Sequence, residues 1–201
     1  MRAVLWCNAE LSATALVDSL LDDAELFGVD GGALRAEAAG YPISGVLGDL
    51  DSVDAADWQG RSTLLPDDAA SDLAKALSHL QTQGYSEVDV VGIDGGCPDH
   101  ILGIWAALTE VRGGLGIRLH HAGGITFRVH PLDDAFEFII PKGKEFSVFA
   151  LTECDAVNIS GAKWNLAAEP LSFSTRGLHN QSLGKPISIS TDGVLAVIVH
   201  D

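Results

Sequence analysis

The spacing of apolar positions divides the chain into two styles. Up to residue 122, short apolar runs alternate with segments of helical period. AVLWC is followed by LSATALVDSLLDD, ELFGVD by GALRAEAAG, and ISGVLGD by a short helix around VDAADW. STLLP, SDLAKALSHLQTQG, EVDVVGI, PDHILGIWAALTEV and IRLHH complete the series. In SDLAKALSHLQTQG, Leu73, Ala76, Leu77 and Leu80 fall on one stripe, and Gly84 supplies the stop. This alternation predicts an α/β domain: an open parallel sheet with helices on both faces. After Gly123-Gly124 the style changes to ITFRVH, FEFII, EFSVFAL, DAVNIS, EPLSFS, PISIS and VLAVIVH, rich in β-branched and aromatic residues and separated by turn signals. No helical period lies among them, which predicts a C-terminal all-β sandwich. The expected domains are 1–123 and 124–201.

Composition narrows the class of function. Of 201 residues, 28 are acidic and 12 basic, a formal net charge of −16, which disfavours nonspecific attraction to nucleic acid or an anionic membrane. An anionic substrate would have to arrive with a metal. Cys7, Cys97 and Cys154 are odd in number, far apart and form no CxxC pair, which argues against a disulfide framework or a structural zinc site. The N-terminal MRAVLWCNAELS is too short an apolar run for a signal peptide, and no segment approaches the ~18 apolar residues of a membrane span. The expectation is a cytoplasmic protein.

The acids fall in telling places on this map. Asp30 ends ELFGVD ahead of Gly31-Gly32, and Asp49 and Asp51 end or follow the third strand. Asp72 opens one helix, and Asp99 opens another just after Gly95-Gly96. In an open parallel sheet the C-terminal ends of strands and the N-terminal ends of helices share one edge, where ligands bind. If the backbone at GDLDS is extended, Asp49 and Asp51 share a face with Leu50 on the other. At roughly 6 Å and a dielectric of about 20 their repulsion is about 3 kcal/mol, which a hard divalent cation such as Mg²⁺ would relieve. The plainer alternatives are that Asp51 caps a helix starting at Ser52 and that Asp72 and Asp99 are first-turn acids favoured by the helix dipole. The conjunction of acids on one rim favours metal-assisted chemistry on a phosphate, which the glycine pairs could approach through backbone amides.

Taken together, VDGGALR, GDLDS, SDLAKAL and GGCPDH, with GAKWNL and GLHNQ in the β half, resemble in order and spacing the motifs of the thiamine pyrophosphokinase family. The resemblance spans nearly the whole chain. It implies transfer of pyrophosphate from ATP to the hydroxyethyl oxygen of thiamine, giving thiamine diphosphate and AMP, with Mg²⁺ required and active sites between the subunits of a homodimer. Position by position it implies Asp49, Asp51 and Asp72 as metal and phosphate acids, and Asp30 and Asp99 as acids lining the same cleft. Asp72 or Asp99 would accept the proton of the alcohol. Gly31, Gly32, Ser52, Ser71, Gly95 and Gly96 belong to the nucleotide-binding motifs. Trp164 would pack on the thiamine ring, with His179 and Asn180 beside it, unless Trp164 fills the sandwich core.

The chain departs from the family pattern in places. Cys97 stands where the family has arginine, Ser71 where it has threonine, and His179 where it has serine. Ala69 and Ala70 replace charged or amide residues, and CNAE replaces a glycine-containing pair near the N-terminus. Arg35 and Lys75 are the nearest candidates to replace the lost arginine. Two other functions stay open on the sequence: a pyrophosphokinase for another heterocyclic alcohol such as a pterin, and a catalytically weakened thiamine- or nucleotide-binding protein.

Overall fold

From its N-terminus the chain runs β1 (Arg2–Trp6), α1 (Thr14–Leu20), β2 (Ala24–Val29), α2 (Gly32–Ala38), β3 (Gly45–Gly48), β4 (Ser62–Leu64), α3 (Asp72–Thr82), β5 (Glu87–Val91), α4 (Pro98–Glu110) and β6 (Gly116–His121). The computed structural model describes residues 1–11, 14–54 and 56–201. They form two compact units, Met1–Val111 with Leu115–Ala122, and Arg112–Gly114 with Gly123–Asp201. The strands of the first unit lie in the order β6-β5-β1-β2-β3-β4, every pair parallel. Val4 and Trp6 pack with Val17 and Leu20 of α1 and Ala33 and Ala36 of α2. Ala3 and Leu5, on the opposite face of β1, are equally buried, as strands covered on both sides require. The stripe expected on α3 is buried as Leu73, Ala76, Leu77 and Leu80, and Gly84 follows it at φ +87°. The expected α/β architecture is thus found.

Not every element matches its sequence pattern. The short helix expected around VDAADW is absent among the described residues. Asp54 accepts the Ala56 amide through its side chain and the Asp57 amide through its carbonyl, and residues 56–60 continue as turns. An aspartate side chain bonding its own backbone two residues on diverts the chain from helix. Ala55 lies outside the described residues, as do Ser12 and Ala13 of the helix expected over LSATALVDSLLDD. That helix is described from Thr14 and closes in a 3₁₀ turn, Leu21–Asp23.

One acid of this unit is wholly internal. Asp89, in β5, accepts from Arg118 Nε and Nη2 at 2.7 and 2.9 Å and from Arg2 Nη2 at 3.2 Å, and meets His120 Nε2 at 2.7 Å. Burial alone would raise its carboxyl, but the hydrogen bonds from His120 and Arg118 and their charge prevail and hold it down at about 2.

The second unit is all β: β7 (Gly124–Val129), β8 (Phe136–Phe138), β9 (Glu145–Ala150), β10 (Cys154–Ser160), β11 (Leu166–Leu171), β12 (Asn180–Gln181), β13 (Ile187–Ser190) and β14 (Leu195–His200). Antiparallel β12-β9-β14-β7 faces antiparallel β11-β10-β13-β8. Phe146, Val148, Leu195 and Val197 from one sheet meet Val157, Ile159, Leu171, Ile187 and Ile189 from the other. This is the expected sandwich, each buried side chain contributing about 1.5–3 kcal/mol. β11 starts earlier than EPLSFS suggested, and β12, two residues long, has no sequence signal. All three cysteines are free, and no described helix is long and apolar enough to cross a membrane.

Candidate active site

Strand order in the first unit reverses at the neighbours β1 and β5, so the strand C-termini there form the edge on which such sheets bind ligands. The segments leaving β1 and β5 are tied by backbone bonds, Ala9 to Gly92 and Glu10 to Asp94. Asp30 leaves β2 on this edge in the left-handed region, φ +45°. Asp49 and Asp51 leave β3 around Leu50, also left-handed at φ +65°. The two acids therefore do not alternate along an extended strand, and no helix begins at Ser52. The loop nevertheless brings carboxylate oxygens of Asp30, Asp49 and Asp51 within 4.8 Å of one another. Backbone strain at two non-glycine residues of one loop cluster is the kind that marks functional sites.

Neighbouring groups fix these acids. Asp49 Oδ1 accepts the Asp51 amide at 3.2 Å, Asp30 Oδ1 the Ser52 amide at 3.3 Å, and Asp51 Oδ1 the Ser52 hydroxyl at 2.9 Å. Asp72, in the first turn of α3, accepts the Asp49 amide at 3.1 Å and lies 2.7 Å from Lys75 Nζ. Ser71 caps that helix by accepting the Ala74 amide. Lys75, its side chain 7% exposed, lies 3.9 Å from Asp49 Oδ2. Burial opposes its charge, but the hydrogen bond from Lys75 to Asp72 and the fields of Asp72, Asp49 and Asp68 raise its pKa above the ordinary lysine value. Of the two candidates to replace the missing arginine, Lys75 touches the acids, while Arg35 donates to Asn8 Oδ1 at 2.6 Å. Asn8 belongs to the CNAE segment, but nothing in the sequence announces its bond to Arg35.

The two glycine pairs behave differently. A Cβ on Gly32 would sit 2.0 Å from the Trp6 carbonyl oxygen, and one on Gly31 2.7 Å from Asn8 Nδ2, so this pair lets α2 close on the end of β1. Gly95 and Gly96 are both left-handed, at φ +71° and +86°, and a Cβ on Gly96 would meet nothing within 4 Å. They lead through exposed Cys97 to Asp99 in the first turn of α4, where its Oδ1 accepts the His100 amide at 3.0 Å. Asp99 is not part of the three-carboxylate group.

A cavity of about 390 Å³ opens in the second unit, walled by Val148, Ile159, Leu166, Leu171 and Trp164 with Asn180 behind. Trp164 is 54% exposed, so it lies at the rim and not in the core. Lys163 Nζ stands 4.3 Å over its ring and 3.1 Å from Gln181 Oε1. Asn180 is buried and grips the Trp164 backbone from both sides, accepting its amide at 3.2 Å and donating to its carbonyl at 2.7 Å. His179 is left-handed, φ +55°, and lies outside the cavity between two residues that line it, Leu178 and Asn180. Its ring meets Glu145 at 3.0 Å, which lowers that carboxyl, and stacks on His200. Lys163 belongs to the GAKWNL segment, whereas no motif signals Glu145.

Known proteins supply a comparison for both units. Residues 131–195 match the family model described as thiamin pyrophosphokinase, vitamin B1 binding domain. In structure the chain is similar to thiamine pyrophosphokinase from Bacillus subtilis, with a TM-score of 0.80 and 19% identity over 100% of this chain and 99% of that one. It is also similar to thiamin pyrophosphokinase from Geobacillus thermodenitrificans, at 0.79 and 19% over 100% and 98%. For thiamin pyrophosphokinase from Candida albicans the figures are 0.71 and 13% over 100% and 89%. No curated protein matches the chain in sequence. The chain thus resembles the thiamine pyrophosphokinases in its motifs, in the domain model of its C-terminal unit and in its whole fold.

Proposed function

We propose that the chain is a thiamine pyrophosphokinase, moving a diphosphoryl group from ATP to the hydroxyethyl oxygen of thiamine with release of AMP. The observation that carries the chemistry is the group of Asp30, Asp49 and Asp51, whose oxygens lie within 4.8 Å of one another with Lys75 reaching only to 3.9 Å from one of them. An all-oxygen donor set of this kind fits Mg²⁺, and these three acids would hold it. When bound, the metal would offset negative charge on the phosphates. Asp72, read from the sequence as a ligand, is engaged by Lys75 and the Asp49 amide and serves better to orient both.

In the transfer, the alcohol oxygen bonds to the β-phosphorus, the bond from that phosphorus to the α–β bridging oxygen breaks, and AMP leaves. The alcohol proton passes to a carboxylate. Asp99, held only at one oxygen by the His100 amide, is freer to take it than Asp72. Gly95 and Gly96 expose backbone amides toward the donor phosphates. Lys75 supplies a fixed positive charge that Cys97 does not. In the second unit the apolar cavity takes thiamine, Trp164 offers a ring face to its cationic thiazolium, and Asn180 acts through the Trp164 backbone. Since His179 lies outside the cavity, it is left out of the acceptor contacts. The acids belong to one unit and the cavity to the other. The reading carries a homodimer acting in the cytoplasm, its sites assembled between subunits.

The deciding experiment incubates the protein with ATP and thiamine, with and without Mg²⁺, and follows AMP and thiamine diphosphate. Equal amounts of both are expected, only with the metal. AMP formed with a pterin alcohol but not with thiamine would transfer the reading to another acceptor. Binding of thiamine and ATP without turnover would reduce the protein to a binder.

A further inference from the structure

Resting on the reading of this cavity as the thiamine site, we propose that Glu169 and Asn165 select the aminopyrimidine end of the acceptor. The first observation is a break in strand alternation. On a regular strand, residues 166, 168 and 170 would share a face. Yet Leu166, Glu169 and Leu171 all line the cavity. Pairing explains this, since Val157 opposes Glu169 and Ile159 opposes Leu166, leaving β11 one residue longer than β10 over that stretch. The extra residue is taken up as a bulge, with Ala168 left-handed at φ +51° and its amide held by Asn158 Oδ1 at 2.9 Å. Bulges of this kind re-aim side chains. Without it, Glu169 and Leu166 would point to opposite faces.

The second observation is the bonding of the polar groups in the cavity wall. Asn180 is committed on both sides to the Trp164 backbone. Arg176 donates to the Pro170 carbonyl and to Glu169 Oε2. Asn165 Oδ1 accepts the Ala162 amide at 3.1 Å. Among the described residues, Glu169 and Asn165 each keep one side-chain group of the wall open, the acceptor Glu169 Oε1 and the donor Asn165 Nδ2. Arg176 fixes the first and the Ala162 amide fixes the second. An aminopyrimidine presents an exocyclic amino donor beside a ring-nitrogen acceptor, the complement of this pair. An acceptor with an oxo group in place of the amine would set its oxygen against the carboxylate, so the wall also rejects it.

The test is calorimetric binding to the intact protein, using thiamine and its 4-oxo analogue, with KM for ATP measured alongside. Wild type should prefer thiamine by at least about tenfold, the discrimination expected of a hydrogen bond to a charged group. Glu169→Gln should lose about tenfold in thiamine affinity and most of that preference, with KM for ATP within about twofold. Asn165→Asp keeps an oxygen that accepts from Ala162 and puts a charged acceptor in place of the donor. It should lower thiamine affinity by a similar factor and supplies the answer should Glu169→Gln melt early. Wild-type affinities and preference in both variants would overturn the inference while leaving the function intact. No thiamine binding and no thiamine diphosphate from wild type would remove both.

Discussion

Asp89 and the group of Asp30, Asp49 and Asp51 are acids of the same unit placed in opposite surroundings. Asp89 is fully buried and surrounded by partners from its own chain, two arginines and a histidine. The other three sit half-buried or exposed at the sheet edge, with one lysine near one of them. A buried carboxylate without partners costs several kcal/mol, so Asp89 has to be neutralised within the fold. Acids at the edge are solvated and can stay under-neutralised until something positive arrives. The difference separates an acid the fold requires from acids a ligand requires.

The largest effect that could break this distinction is on stability. Asp89→Asn should destabilise the protein by about 3–5 kcal/mol, read from denaturant unfolding, because Arg118 and Arg2 lose their common partner. The depressed carboxyl also fixes a pH window. Its contribution, about 2 kcal/mol, is complete above pH 4 and is lost as pH falls through about 2. The variant should lack that acid-dependent loss, and a normal melting temperature in Asp89→Asn would erase the contrast.

Asp51→Asn should do the reverse. We expect about a hundredfold or greater loss of turnover, with a metal-free melting temperature equal to or above wild type, since one of three mutually repelling charges is gone. Mg²⁺ should raise the melting temperature of wild type and not of the variant. Near-normal turnover of the folded variant at saturating Mg²⁺ would remove the acid from the site. The smallest effect carries the comparison to tryptophans. Trp58 is buried and Trp164 is not, so Trp164→Ala should leave melting nearly unchanged and raise KM for thiamine about tenfold, by loss of a stacked cation–π contact. A large drop in melting temperature with KM unchanged would return Trp164 to the core.

Much of the fold was legible because burial leaves a periodic trace. Leu73, Ala76, Leu77 and Leu80 show it for α3, and the β-branched runs show it for the sandwich. What escaped has no period. The Asp54 turn replaced an expected helix through side-chain bonds to the backbone, and β12 is too short for any pattern. Asp30, Asp49 and Asp51 stand at strand ends, as their places in the sequence imply, and their oxygens lie close together, though not through an extended GDLDS. A left-handed Leu50, not strand alternation, brings their oxygens together. Glu145 and Glu169 were silent because their roles depend on partners distant along the chain or on a bulge, and Lys75, placed by SDLAKAL, shows its approach to Asp49 only in the fold. His179, placed by the GLHNQ segment, lies beside the cavity between two residues that line it.

The β unit is not one uninterrupted stretch of chain. It takes in Arg112–Gly114, three residues that lie between α4 and β6. There Arg128 donates to the Arg112 carbonyl and Asp133 accepts the Gly114 amide. A gene segment starting at Gly123 would therefore encode the sandwich without a piece of its own wall. Anyone transplanting this module into another protein, or looking for ancestors in which it stood alone, should expect either those three residues grafted back or a substitute at Arg128 and Asp133. The dissection point that looks natural on the sequence would yield a module missing its clasp.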